Sequence, residues 1–173
     1  RVLRTARSMG MATVAVYSEA DAQALHVREA GRAYGLGGNT PAESYLRIDK
    51  LIAAARASGA DAVHPGYGFL SENADFAERV EKSGFVFIGP TSEAIRIMGD
   101  KVAAKQAMIK SGVPCVPGSE GALPDDPKEI VRIARGIGYP VIVKAAGGGG
   151  GRGMRVVHTE AALIHAVQTT RAE

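Results

Sequence analysis

The sequence has few of the residues that define several large classes of protein. Its one cysteine, Cys115, cannot form a disulfide bond within the chain, which is typical of proteins from a reducing compartment. Tryptophan is absent and aromatic residues make up 5% of the chain. The net charge is +3, and the basic residues are interspersed with acidic ones, so no nucleic-acid surface is indicated. No apolar run is long enough to cross a membrane, so no membrane partner is expected.

The residues that are present suit a globular protein. Hydrophobic residues make up 46% and charged residues 23% of the 173 positions, which is enough for a core in one domain or slightly more. We interpret Cys115 as a small buried hydrophobe and not as a nucleophile. The chain starts without Met and inside a predicted helix, so we expect a piece of a longer protein. A cytoplasmic location is expected, and a mitochondrial one stays open because an upstream targeting segment would not be seen.

Helix and strand patterns alternate over the first two thirds of the chain. Short apolar runs predict strands at 12–18, 61–64 and 85–89, with a weaker one at RAYGLG. Helical periodicity lies between them, most clearly at 46–58. Strands separated by helices imply parallel pairing with right-handed crossovers. We therefore predict an α/β domain with a doubly wound parallel sheet over residues 1–112, whose first strand would precede the chain.

A second region, 113–173, begins with the turn-rich segment VPCVPGSEGALPDDP. A helix with Pro127 in its first turn follows. Next come the strand YPVIVKAA, a run of glycines, the strand GMRVV and a last helix. We predict an antiparallel hairpin that begins a small α+β domain, which is incomplete in this chain.

Five consecutive glycines, at 147–151, separate the two strands of this hairpin. Ordering glycine is costly, so packing does not account for them. A linker or a plain hairpin tip is one interpretation. A dinucleotide-binding turn is disfavoured because a strand follows instead of a helix, and a P-loop would need Lys and Ser or Thr after the glycines. We interpret the run as a lid whose backbone N–H groups bind phosphate.

Two lysines are candidates for phosphate binding. Lys144 ends the strand before the glycines, and among Val-Ile-Val its ammonium would face the interior or a site and would need an anionic partner. Lys101 begins a predicted helix, where the backbone N–H groups already favour an anion. A solvated first-turn lysine is the alternative for Lys101.

The stretch HPGYGFLSEN, residues 64–73, follows a predicted buried strand and precedes a helix. It therefore belongs to the carboxyl edge of the parallel sheet, where ligands bind in open α/β folds. Tyr67, between two glycines, is expected to be exposed. Ser71 or Asn73 is expected to cap the next helix. Glu72 and His64 are either acid–base groups or ordinary loop polar residues.

Four stretches together resemble the amino-terminal part of biotin carboxylase, an ATP-grasp enzyme. They are HPGYGFLSEN, FIGPTSEAIRIMGDK, VPCVPGS and GYPVIVKAAGGGGGRGMRVV, in this order. The resemblance covers nearly the whole chain and implies a Rossmann-like pre-ATP-grasp domain followed by the start of an ATP-grasp subdomain. It implies a ligase that uses ATP and two divalent cations, Mg²⁺ or Mn²⁺, to convert bicarbonate into carboxyphosphate. CO₂ derived from it is then transferred to N1′ of biotin on a carrier protein.

The resemblance also implies site residues and partners. Lys101 and Lys144 match the two ATP-binding lysines of the family, and Tyr67 and Glu72 match a loop that faces the carboxylation site. The positions that match the ATP lid and its flank are Gly147, Gly148, Gly149, Gly150, Gly151, Arg152, Gly153 and Met154. The implied partners are a biotin carboxyl carrier protein, a second copy of the enzyme and a carboxyltransferase subunit, as in the acetyl-CoA carboxylase of fatty acid biosynthesis.

The metal-binding carboxylates and the catalytic residues of this family would follow Glu173. We therefore expect no metal ligand and no catalytic residue in this chain, and we expect the chain by itself to be inactive. Two alternatives stay open. One is another ATP-grasp ligase such as carbamoyl phosphate synthetase, which HPGYGFLSEN disfavours. The other is a non-catalytic module that binds ATP. The final carboxyl acceptor is not indicated.

Overall fold

The computed structural model describes residues 1–145 and 153–172, which fall into two compact units, Arg1–Arg96 and Ile97–Glu173. The helices are α1 (Val2–Ser8), α2 (Leu25–Glu29), α3 (Ile48–Ser58), α4 (Ala74–Lys82), α5 (Ser92–Gly99), α6 (Lys101–Lys110), α7 (Pro127–Ile137) and α8 (Glu160–Ala172). The strands are β1 (Val14–Tyr17), β2 (Arg32–Gly35), β3 (Ala62–Val63), β4 (Val86–Phe87), β5 (Val141–Lys144) and β6 (Met154–Val157). Over the described ranges, no helix combines the length and apolar character that crossing a bilayer requires.

Parallel strand pairs form the framework of the first unit. β1 pairs with β2, with Val14 opposite Arg32, and β3 pairs with β4, with Ala62 opposite Val86. Helical segments connect the strands of each pair, as parallel pairing requires. The predicted α/β fold with parallel strands is therefore confirmed, in the form of two separate pairs within the described residues. The additional strand that we predicted before Arg1 stays a prediction.

Helices α3, α4 and α5 pack their apolar faces into one core in the first unit. The buried residues of this core are Ile52, Leu70, Phe76, Ala77, Val80, Phe87 and Ile95. The rings of Phe76 and Phe87 meet edge to face at 6.0 Å, a geometry that aromatic quadrupoles favour. Leu70 belongs to the stretch 64–73, so the core anchors this loop from within.

The second unit contains the predicted antiparallel hairpin of β5 and β6, with Val141 opposite Val157. α7 begins at Pro127, as predicted, and the carboxylate of Asp126 accepts the Lys128 N–H at 3.0 Å. α7 and α8 cover one face of the hairpin. The buried residues of this second core are Ile130, Ala134, Val141, Val143, Val157, Leu163, Ala166 and Val167.

Two arginines connect separated parts of the second unit. The Arg135 guanidinium donates two hydrogen bonds of 2.6 Å to the Glu160 carboxylate, which joins the end of α7 to the start of α8. Arg171, in the last turn of α8, donates to the Asp125 carboxylate at 2.8 Å and to the carbonyls of Pro124 at 2.7 Å and Leu123 at 3.0 Å. The segment before α7 is thereby fixed to the end of α8.

The interpretation of Cys115 as a buried residue is wrong. Its side chain is exposed, and its neighbour Val116 is 83% exposed. Two prolines flank this cysteine in a segment that forms no helix or strand, so no packed element is available to cover it. The predicted domain division at 112/113 stays a prediction.

Candidate functional site

The β5–β6 hairpin has one buried and one exposed face. Successive strand residues point to opposite faces, so Val141 and Val143 face α7 and α8, and Ile142 and Lys144 face away from them. The alternation also places the partners of Ile142 and Lys144 on the outer face. The exposed apolar residues there are Ile142 (55% exposed), Met154 (48%) and Val156 (57%). We call these three residues the apolar strip.

Lys144 is the last residue of β5, and it lies at the end of the apolar strip that is nearer to the glycines. The sequence left open whether its ammonium faces the interior or a site, and the structure places the side chain on the exposed face. Within residues 1–145 and 153–172, no hydrogen bond or ion pair holds the ammonium. An exposed apolar surface that ends in an exposed cation suits a ligand with a flat apolar part and an anionic part.

The glycine lid predicted at positions 147–151, together with Arg152, lies outside the described residues. Gly153 and Met154 are described. Gly153 has φ +65°, and a Cβ at this position would lie 2.8 Å from the Ala145 Cβ. The Gly153 carbonyl accepts the Ala145 N–H at 2.9 Å, which extends the hairpin by one pair. Glycine at 153 therefore has a structural reason of its own, and Met154 belongs to the apolar strip.

Lys101 is the first residue of α6, as predicted. The preceding residue, Asp100, caps the helix, and its carboxylate accepts the Ala103 N–H at 2.7 Å. One donor of the helix N-terminus is thus already bound by a carboxylate, and the sequence had not revealed this. Any attraction of Lys101 for phosphate therefore rests on its own ammonium more than on the helix end.

The loop 64–73 exposes two of the predicted residues. Tyr67 is fully exposed, with a relative exposure of 102%, and Glu72 is exposed as well. His64 accepts the Gly66 N–H on Nδ1 at 3.0 Å and so closes the first turn of the loop. The Asn73 side chain caps α4 by accepting the Phe76 N–H at 2.8 Å, which decides between the two predicted caps. Tyr67 and Glu72 belong to the first unit, whereas Lys101 and Lys144 belong to the second.

A polar network around Tyr45 was missed in the sequence. The Tyr45 hydroxyl donates to Asp21 Oδ2 at 2.6 Å and accepts the Ser18 N–H at 3.0 Å, and the Ser18 hydroxyl donates to the same Oδ2 at 2.9 Å. The hydrogen bonds from Tyr45 and Ser18 lower the pKa of the Asp21 carboxyl. Burial, and then the bond to Asp21, raises the pKa of Tyr45. A tyrosine in the polar segment TPAESYLRIDK was the only signal for this network.

Metal binding has no candidate in the part of the chain that the structure describes. No group of three or more histidine, cysteine, aspartate or glutamate side chains is arranged there to hold an ion. The carboxylates that do have displaced pKa values have local partners. For example, the Arg135 guanidinium lowers the pKa of Glu160. We assign no metal ligand among the described residues.

Two family profiles match the chain. The profile described as "Biotin carboxylase, N-terminal domain" matches residues 1–95, and the profile described as "Carbamoyl-phosphate synthase L chain, ATP binding domain" matches residues 100–173. The biotin carboxylase of Pseudomonas aeruginosa is 57% identical over 173 residues, which are all of this chain and 38% of that protein. One component of the pyruvate carboxylase of Methanothermobacter thermautotrophicus is 51% identical over 172 residues, which are 99% of this chain and 35% of that protein. The chain thus spans well under half the length of these relatives.

Solved structures resemble the chain equally closely. A biotin carboxylase–β,γ-ATP complex from Campylobacter jejuni has a TM-score of 0.91 and 50% identity, and the match covers 99% of this chain and 38% of that one. The biotin carboxylase domain dimer of 2-oxoglutarate carboxylase from Hydrogenobacter thermophilus, solved with MgADP, ADP and bicarbonate, has a TM-score of 0.88 and 45% identity. That match covers 98% of this chain and 37% of the other.

Proposed function

Because the chain belongs to the biotin carboxylase family, we propose that it forms the amino-terminal part of an ATP-dependent ligase that carboxylates biotin with bicarbonate. The complete enzyme converts ATP and bicarbonate into ADP and carboxyphosphate. A bicarbonate oxygen attacks the γ-phosphorus, and the bond from that phosphorus to the β,γ-bridging oxygen breaks. CO₂ released from carboxyphosphate is then transferred to N1′ of biotin.

The exposed face of the β5–β6 hairpin is the observation that supports this proposal best. Its apolar strip offers a flat surface for the adenosine part of ATP, and the Lys144 ammonium is placed at one end of it to neutralise phosphate oxygens. Phosphoryl transfer depends on positioning and on neutralising charge, and both are functions that this face is able to supply. Lys101 supplies a second ammonium in the same unit.

The other predicted site residues surround the phosphates and the carboxylation site in this proposal. The glycines at 147–151, with Arg152 and Gly153, close over the phosphates, and their backbone N–H groups donate to phosphate oxygens. Tyr67 and Glu72 lie beside the carboxylation site, where biotin and bicarbonate meet. Mg²⁺ or Mn²⁺, when bound in the complete enzyme, would supply positive charge against the developing charge on the phosphate oxygens, and we propose no ligand for it in this chain. The chain 1–173 by itself is accordingly expected to be inactive.

The proposed partners follow from the reaction. Biotin arrives on a biotin carboxyl carrier protein, and a carboxyltransferase passes the carboxyl group on. A homodimer is proposed because a dimer of the domain is known for the 2-oxoglutarate carboxylase relative. The acceptor stays open, since the relatives include a pyruvate carboxylase component as well as biotin carboxylases. The expected cytoplasmic location stays a prediction.

The test is the cleavage of ATP by the complete enzyme that contains this chain. We expect release of phosphate that requires bicarbonate and is stimulated by free biotin. Stimulation by ammonia instead of biotin would point to carbamoyl phosphate synthesis. Binding of ATP without any cleavage would point to a module that only senses the nucleotide. Either of these two results would overturn the proposal.

A further inference from the structure

The loop 64–73 contains a strained residue next to its exposed tyrosine. Phe69 has φ +46°, in the left-handed region that bulky side chains rarely adopt. Gly66 and Gly68, on either side of Tyr67, have φ +74° and +77°, which glycine adopts without strain. Strain of this kind persists only where surrounding contacts enforce it, and it concentrates at functional sites. Phe69 should therefore have a contact that holds it in place.

That contact is the ring of Tyr45. The two rings are stacked, with centroids 5.4 Å apart and planes inclined by 18°. Phe69 is 60% exposed, so the stack covers one side of the ring and solvent the other. The next residue, Leu70, is buried in the core. Leu70 thus anchors the loop in the core, and the Tyr45 ring supports Phe69. Tyr67, two residues before Phe69, is exposed to solvent.

Tyr45 is itself held by hydrogen bonds at its far end. Its hydroxyl is bound by the Asp21 carboxylate and the Ser18 N–H, and the Ser18 side chain is 1% exposed, directly after β1. The phenol is thereby fixed at both ends, by the network at the hydroxyl and by Phe69 at the ring. A chain of direct contacts leads from the end of β1 through Tyr45 and Phe69 to the loop that exposes Tyr67.

We infer that Tyr45 is a positioning residue, which holds the 64–73 loop in the conformation that presents Tyr67 and Glu72 to biotin. This inference rests on the proposed function, because it assigns the loop to the carboxylation site. Tyr45 acts through Phe69: its hydrogen bonds with Asp21 and Ser18 fix the phenol, and the phenol supports the Phe69 ring.

The test compares Tyr45→Phe with Tyr34→Phe in the complete enzyme. Each substitution removes one phenol hydroxyl from the first unit, and the Tyr34 hydroxyl donates to the Ala57 carbonyl at 3.1 Å, between β2 and α3. The first measurement is hydrogen exchange of the Ser71 and Asn73 amides, which donate to Gly68 and Leu70 carbonyls inside the loop. The second is the KM for free biotin beside the KM for ATP.

We expect Tyr45→Phe to accelerate exchange at these two amides severalfold and to raise the KM for biotin severalfold, with the KM for ATP unchanged. Tyr34→Phe should change none of these quantities. Phe69→Leu, which removes the stack from a half-exposed position and leaves the core intact, should reproduce the effects of Tyr45→Phe. It also keeps the test decisive if Tyr45→Phe fails to fold.

The outcomes separate the inference from the function on which it rests. Faster exchange with an unchanged KM for biotin supports the positioning role and overturns the assignment of the loop to biotin. Unchanged exchange in both Tyr45→Phe and Phe69→Leu overturns the inference. Acceleration that extends equally over α3 and α4 indicates a general loss of stability and also overturns it.

Discussion

Replacing Lys144 with methionine removes the cation at the end of the apolar strip and keeps a long unbranched side chain. The ammonium has no partner to lose within the described residues, so we expect the thermal midpoint to stay unchanged. A charge-assisted hydrogen bond to phosphate contributes about 1.5–3 kcal/mol. The dissociation constant for ATP should therefore rise roughly 10-fold to 150-fold.

The measurement is titration of the complete enzyme with a non-hydrolysable ATP analogue, together with the KM for ATP in bicarbonate-dependent cleavage. Lys128→Met is the matched control, because Lys128 is also an exposed lysine of the same unit, and it lies at the start of α7, away from the outer face of the hairpin. Adenosine gives a second comparison, since it has no phosphate. Its binding should resist Lys144→Met and should weaken when Val156, in the apolar strip, is replaced by aspartate.

Three results would refute the reasoning. An unchanged affinity of Lys144→Met for the ATP analogue would mean that the exposed ammonium does not meet phosphate. An equal loss in Lys128→Met would mean that the effect is a long-range change in net charge and not a contact on the hairpin. Binding that falls together with the thermal midpoint would show that Lys144 supports the fold instead.

Three further predictions concern stability. Gly153→Ala should destabilise the protein by about 1–3 kcal/mol in denaturant titration, because φ +65° and the 2.8 Å approach to Ala145 both oppose a Cβ, whereas Gly136→Ala, in α7 with open space around it, should be neutral or stabilising. Asn73→Ala should lower the unfolding free energy by about 1 kcal/mol through loss of the α4 cap, and an unchanged denaturation midpoint would contradict this. The third concerns Tyr45→Phe, which removes the main cause of the lowered pKa of Asp21. A carboxyl whose pKa is lowered in the folded state stabilises the protein at pH values above the ordinary aspartate pKa. The wild type should therefore be more stable than Tyr45→Phe by a full and constant amount above about pH 4, and this difference should shrink on acidification. A difference that stays constant down to low pH would count against the network.

The sequence was most informative where a local rule decides the structure. The valine-rich run in YPVIVKAA predicted strand β5, and Pro127 predicted the start of α7, because both depend only on neighbouring residues. The outward direction of Lys144 could not be predicted, since it depends on which face α7 and α8 cover. Cys115 was misjudged because a short apolar stretch is buried only if a packed element lies over it.

Contacts between residues far apart in the sequence could not be predicted either. Tyr45 and Asp21 are 24 residues apart, and the stack on Phe69 joins two loops whose sequences give no sign of each other. Composition and periodicity describe single segments and do not predict contacts between two segments. The residues that match a family pattern were therefore found in the sequence, and the residues that support them were found only in the structure.

The three hydrogen bonds of Arg171 have a consequence for how the second unit opens. They join residues 123–125 to the last turn of α8, so the chain between them forms a loop that is closed without a covalent bond. Unwinding of the last turn of α8 must break these bonds and so release the segment before α7. The two segments therefore lose their order together. The hairpin between them is therefore supported by two helices, α7 and α8, whose far ends unfold together as one cooperative unit.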